Sequence, residues 1–360
     1  MRYIFLLLFS AQFWLTVKAQ DTDTLARNPL RKYVGYYDVG VKPGKPFFRT
    51  RAYIRENNLY IIFDSDQDHK LSLKEGHTFG FEFDSAGLYS LGFHTDGDKI
   101  TGFKVIRPRS EWPTDLYGQR NEALDKYAVD TEAQLLFTTK SPHFTCHYSA
   151  VDTSYIHGIL TTLESNYKSL INSFELDTIG NTTIRIYPNQ EIYHNAVLTP
   201  GAPAWQMGRS WSKNEIRMLS PLVARQTTGE DINVNEVVLH EFVHCIHLNL
   251  VKDGTRVPGW LWEGLAMYKG CCLWTDLQGL DYIQNKKYPS LKKIENDRSY
   301  QMKYDLGYFL IDFLDKQYGW DKVLQLVAKN GDIKAVLNKS SKDFEAEFYR
   351  FLEKNYLHIN

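Results

Sequence analysis

His240-Glu241-Phe242-Val243-His244 lies inside an apolar run, surrounded by Val237, Val238, Leu239 and Ile246. The pattern predicts a helix over 234–250. On a helix, positions four apart lie one turn apart on one face, so both imidazoles can reach a single metal ion. Glu241 is placed beside them to take a proton from a metal-activated water. With 11 His in 360 residues, chance alone produces such a motif on the order of 2 % of the time, so a third ligand has to be found.

A catalytic zinc site takes three protein ligands and keeps one position open. His247 shares the face of His240 and His244. At 1.5 Å rise per residue, however, it stands about 10 Å from His240 along the axis, too far for one zinc with bonds of about 2 Å. It is expected to line the cleft or to support the ligands from outside. The offsets of a metzincin are also absent. Glu263 is the better third ligand. Pro258-Gly259 allows the first helix to end and a second to approach the same metal, and Trp260, Leu261, Trp262, Leu265 and Met267 surround Glu263 with apolar side chains. A carboxylate in that setting needs a partner to stay ionised.

The remainder of the chain divides unequally. Residues 1–19 combine an early base, an apolar stretch and the small-residue exit Val17-x-Ala19, the pattern of a cleaved signal peptide. No cysteine stands at the exit for lipid attachment, so the mature chain is expected to be secreted or periplasmic, without stable membrane insertion. Residues 28–106 carry short aromatic and β-branched runs at 33–37, 52–54, 59–63, 79–83, 89–93 and 100–105. An Asp96-Gly97 turn separates the last two. They predict a small antiparallel β-domain, either a sheet or a barrel. Asp64-x-Asp66-x-Asp68, with Leu71 and Glu75 following, imitates a calcium loop. His69 stands where the sharp turn needs Gly, and the flanks read as strands, so a solvated acidic turn is the expectation. Residues 107–137 are polar and contain Pro108 and Pro113; they read as a linker without a clear strand. Residues 138–360 alternate strands (144–148, 183–187, 216–219) with helices (153–174, 234–250, 260–268, 302–317, 320–329, 341–355). The fold class is therefore α+β: an N-terminal antiparallel β-domain followed by a mixed sheet and a mainly helical C-terminal part.

His240-Glu241-x-x-His244, eighteen residues, then Glu263-Gly264-Leu265-Ala266-x-Tyr268 resembles the gluzincin metallopeptidases of the MA-type superfamily. It is nearest in style to secreted bacterial members with a Pro-x-Trp-Leu-x-Glu-Gly-Leu-Ala-x-Tyr segment. The resemblance covers about residues 140–330. It implies one Zn²⁺ per chain on His240, His244 and Glu263, with Glu241 as general base in peptide-bond hydrolysis. It also implies an oxyanion-stabilising tyrosine, Tyr304 by position and Tyr308 as the second choice. Glu215–Leu219 would be the edge strand that binds extended peptide.

Composition restricts the alternatives. Lys+Arg 42 against Asp+Glu 43 leaves a net charge of -1, which removes any prior for a nucleic-acid partner. Four cysteines exclude a disulfide scaffold and read as buried free thiols. A peptide or protein substrate is the expected partner, and nothing fixes an oligomeric state. Two other readings remain: a zinc hydrolase of a non-peptide substrate, and a secreted zinc- or peptide-binding protein without turnover. Trp205, Gln206, Met207, Gly208, Arg209 and Trp211 are candidates to line the approach to the site, and Glu236 is one turn before His240 as a possible support.

Overall fold

A computed structural model describes residues 28–357 except 43, 65–66, 85–86, 107–114, 229–232, 252–256 and 271–274. The expected leader at 1–19, Asp66 of the acidic turn, Pro108 and Pro113, and Cys271-Cys272 lie outside the described residues. Among those described, no helix is long and apolar enough to cross a membrane.

The six aromatic runs form β1 (Gly35–Gly40), β2 (Phe48–Arg55), β3 (Asn58–Ile62), β5 (Thr78–Asp84), β6 (Gly87–Asp96) and β7 (Lys99–Ile106), and a further strand, β4 (Asp68–Glu75), lies between β3 and β5. β8 (Leu116–Arg120) pairs with both β7 and β1 and closes the sheet into an eight-stranded antiparallel barrel. β8 falls inside the stretch read as a linker without a strand. That reading is corrected, because closure depends on pairing with β1 some 80 residues away and not on a local apolar pattern. Tyr37, Phe79, Phe81, Phe93 and Phe103 fill the interior. Phe93 meets Phe79 and Phe103 edge-on, each at 5.7 Å between ring centroids. Eight strands enclose about as much space as side chains can fill, so the barrel has a packed core. Asp68, Leu71 and Glu75, expected in a solvated acidic turn, belong to β4 instead, because Asp68 is held in the sheet by hydrogen bonds from Tyr53 and Arg55.

The rest of the chain builds a five-stranded mixed sheet in the order β12-β13-β11-β10-β9, made of β9 (Phe137–Lys140), β10 (Phe144–Tyr148), β11 (Thr182–Tyr187), β12 (Gly208–Ser212) and β13 (Glu215–Leu219). β10, β11 and β13 run parallel, while β9 and β12 are antiparallel edges. β13, expected as the edge strand, is therefore internal. The edge position belongs to β12, which the sequence reading missed as a strand because it buries only Trp211.

The helices are α1 (Thr153–Ser173), α2 (Gln190–Ala196), α3 (Pro221–Thr228), α4 (Val234–Leu250), α5 (Gly259–Lys269), α6 (Gln301–Tyr318), α7 (Trp320–Ala328) and α8 (Ser341–Leu352), of which α1, α2 and α4 pack on the sheet. The helix expected over 153–174 is α1, whose inner face buries Ile156, Ile159, Leu160, Leu163, Tyr167, Leu170 and Ile171 at the i, i+3, i+4 spacing of one helix face. Phe242 of α4 packs edge-on against Phe144 of β10 at 5.0 Å and stacks on Tyr167 of α1 at 5.9 Å.

The barrel docks through Tyr36, Tyr53 and Ile62 onto Tyr187, Tyr193, Trp211 and Leu219. Fully buried Arg51 donates to the Asn195 carbonyl at 2.5 Å and to Thr131 at 3.1 Å. Glu132, in the connection between the two parts, accepts from Arg185 and Tyr187. Asp64 pairs with Arg209 of β12 at 2.7 Å.

α5 and α6 cross with backbones in contact. A Cβ on Gly264 would lie 2.5 Å from the Gly307 carbonyl oxygen, and one on Gly307 would lie 2.9 Å from the Gly264 Cα. Gly264→Ala gains about 1 kcal/mol of intrinsic helix propensity. It must also force two backbones apart, at about 1–3 kcal/mol for overpacking. The variant is expected to unfold at a lower denaturant concentration than the wild type; a midpoint at or above the wild-type value contradicts this account of the crossing.

Candidate metal centre

α4 carries His240, Glu241 and His244, and α5 carries Glu263. The Gly264–Gly307 crossing brings α6, with Tyr304 one turn before Gly307, against the same point. His240 Nε2 lies 3.1 Å from His244 Nε2, and Glu263 Oε2 lies 3.3 Å from the first and 3.4 Å from the second. All three residues are buried. Among the described residues they form the one His/Cys/Asp/Glu group suited to hold a metal ion.

The distances test what occupies such a site. A strong N–H···O hydrogen bond is about 2.7–3.2 Å long, and both carboxylate contacts exceed that. Glu263 Oε2 is buried without a well-made hydrogen bond among the described residues. Three donors of a tetrahedral zinc with bonds of about 2.0–2.1 Å are separated by about 3.3–3.4 Å, close to the observed triangle. A cation shared by all three fits better than protons shared between pairs.

Electrostatics agree with the geometry. Burial would raise the Glu263 carboxyl, but the His244 and His240 imidazoles beside it hold it well below the usual carboxylate range. Burial would lower His240, yet its contact with Glu263 and the nearby Glu241 raise it. Burial pushes the Glu241 carboxyl up, and the two imidazoles only partly offset this.

β12 fixes Glu241. The Ser210 backbone N–H donates to Glu241 Oε2 at 2.6 Å. A Cβ on Gly208 would fall 2.8 Å from Glu241 Oε1, so only glycine lets the strand run this close. Cys245 anchors the next turn of α4 with its thiol 3.4 Å from the Ser212 carbonyl oxygen. Cys146 and Cys245 are buried free thiols.

Tyr304 stands at the triad. Its ring lies face to face with His240 at 6.3 Å, and its hydroxyl hydrogen-bonds Glu263. Burial, followed by the charges of Glu263 and Glu241, pushes its pKa well above the ordinary value, so it is a protonated donor. Tyr308 packs against Tyr268 at 5.4 Å. Glu236 accepts from Asn233 at the start of α4, a capping contact.

His247 is fully buried, so of its two expected places, lining the cleft or supporting the ligands from outside, the first is corrected. Its ring leans on Trp262 at 4.8 Å, and neither ring nitrogen has a hydrogen-bond partner among the described residues. Burial, and then the neighbouring His244, push its pKa down to about 3. An unfolded histidine titrates near 6.5. Below that pH the unfolded chain takes up a proton that the folded chain refuses. Stability contributed by His247 is thus present above about pH 6.5 and is lost as pH falls toward 3, at about 1.4 kcal/mol per unit. In chelator, the stability lost by the metal-free protein between pH 7 and pH 5 should be about 2 kcal/mol smaller in His247→Leu than in the wild type. Equal losses in denaturant titrations at the two pH values contradict the assignment.

No known protein-family model matches the chain, and no curated protein matches it. The motif's resemblance therefore rests on the residues and their placement.

Proposed function

We propose that the chain is a zinc-dependent peptidase of gluzincin type that acts outside the cytoplasm, with one Zn²⁺ on His240, His244 and Glu263. The observation that supports this most is the 3.1–3.4 Å donor triangle beside a buried carboxylate, Glu241, held by a sheet edge. A zinc ion there supplies Lewis acidity and lowers the pKa of water to near neutrality.

The chain's own groups would do the rest. Glu241, whose proton affinity burial raises, receives a proton from the attacking water and delivers it to the leaving amine. The Ser210 N–H fixes one carboxylate oxygen and so the carboxylate's orientation. Tyr304 offers its O–H to the developing oxyanion. β12, the edge strand next to α4 among the described residues, binds an extended peptide through main-chain groups other than the Ser210 N–H, which Glu241 holds. This last role passes from β13, where the sequence placed it, to the strand at the edge.

The test is digestion of a proteome-derived peptide library by zinc-loaded wild type beside Glu241→Gln. Cleavage by the wild type alone supports the reading, and cleavage by neither overturns it.

A further inference from the structure

The Nδ1 atom of a metal-ligating histidine ordinarily donates to a carboxylate, carbonyl or water that fixes the ring. For His244, as for His240, Nδ1 is buried without a hydrogen-bond partner among the described residues, and what sets His244 apart is the ring stacked closely on it. What holds the ring is an aromatic face. The Trp262 indole lies parallel to it, 4.2 Å between centroids and 6° between planes. This separation is at the close end of aromatic stacking.

Trp262 is itself fixed. It is the residue before Glu263 on α5, so one turn of helix supplies both a carboxylate of the triad and the plane that orients an imidazole of the triad. Its indole also meets His247 at 4.8 Å and 36°. Fully buried, with neither ring nitrogen hydrogen-bonded among the described residues, the His247 ring contributes shape at this point. α4 and α5 thus interlock through rings where other histidine ligands use a hydrogen bond.

Resting on the zinc reading of the triad, we infer that Trp262 is a positioning residue. By stacking it sets the plane of the His244 imidazole and aims Nε2 at the point shared with His240 Nε2 and Glu263 Oε2. A planar aromatic side chain is required there, and hydrophobic bulk does not replace it.

The experiment titrates zinc into metal-free full-length protein against a competing chelator, for the wild type, Trp262→Phe and Trp262→Leu, with circular dichroism reporting the fold. Trp262→Leu is expected to lose about 10–100-fold in zinc affinity, as when an outer partner of a ligand is removed. Trp262→Phe, which keeps a flat face, should stay close to the wild type. Equal affinity in Trp262→Leu and the wild type overturns the role of Trp262. A wild type that binds no zinc overturns the zinc reading itself. Should Trp262→Leu fail to fold, the wild type decides the matter: proton NMR of the metal-free protein should show the carbon-bound imidazole protons of His244 displaced upfield by the indole ring current, beside those of His247, and less displaced in Trp262→Phe. Absence of any such resonance in the wild type overturns the inference.

Discussion

Glu241→Gln is expected to keep one zinc per chain and lose peptide hydrolysis by about 10²–10⁴-fold, the usual contribution of a positioned general base. The substitution changes one oxygen to a nitrogen and leaves the shape intact. Glu241 Oε2 accepts from the Ser210 N–H, and the amide oxygen of Gln can accept the same bond, so β12 and α4 should keep their contact. The neighbourhood of Gly208 leaves no space for a larger group, which is why Gln is the informative choice. What disappears is a group that binds a proton. Glu241 is not among the three donors grouped for a metal, so zinc content separates its role from theirs. Undiminished hydrolysis in this variant contradicts the base assignment, and loss of zinc along with activity contradicts the division between base and ligands.

Glu263→Gln is expected to act on the metal. It removes the charge that makes Glu263 a hard oxygen ligand while filling the same volume between α5 and α6. Zinc affinity should fall by more than the roughly 100-fold that marks loss of an outer partner, and hydrolysis should disappear with it. Thermal stability provides a second readout. A ligand at 100 times its dissociation constant stabilises the folded state by about 2.7 kcal/mol, so added zinc should raise the wild-type melting temperature and leave the variant's unchanged. Retention of one tightly bound zinc by Glu263→Gln contradicts the assigned triad.

The site was more legible in the sequence than the fold around it. His240, Glu241 and His244 are readable because a helix imposes a fixed geometry on residues four apart. Glu263 is readable because a lone carboxylate among Trp260, Leu261, Leu265 and Met267 needs a partner. Tyr304 stood out only through resemblance, and the crossing that brings it to Glu263 depends on Gly264 and Gly307 meeting face to face, which no local pattern announces. Trp262 went unremarked as a partner of His244 because stacking leaves no spacing signal.

In the fold, the strands with aromatic or β-branched runs were visible, and β4, β8, β9 and β12 were not. β8 and β12 bury one residue each, Gly118 and Trp211. Gly118 is small because a Cβ there would meet the Phe103 ring at 2.4 Å, so the residue that closes the barrel looks like a linker glycine. β12 carries Gly208 for the same kind of reason, a close approach to Glu241. β8 is specified by its pairing with distant β1, and β12, though it forms a local hairpin with β13, by its approach to Glu241. Among the described residues the sheet edge next to Glu241 is β12, and β13 is internal.

The central claim is that this chain hydrolyses peptides with a zinc ion held by His240, His244 and Glu263. Its most direct test is metal analysis of the purified chain coupled to peptide-library digestion before and after stripping with chelator. One zinc per chain, cleavage lost on stripping and restored by one equivalent of zinc is the predicted result. A folded chain that takes up no zinc, or cleavage that persists after the metal is removed, would contradict it.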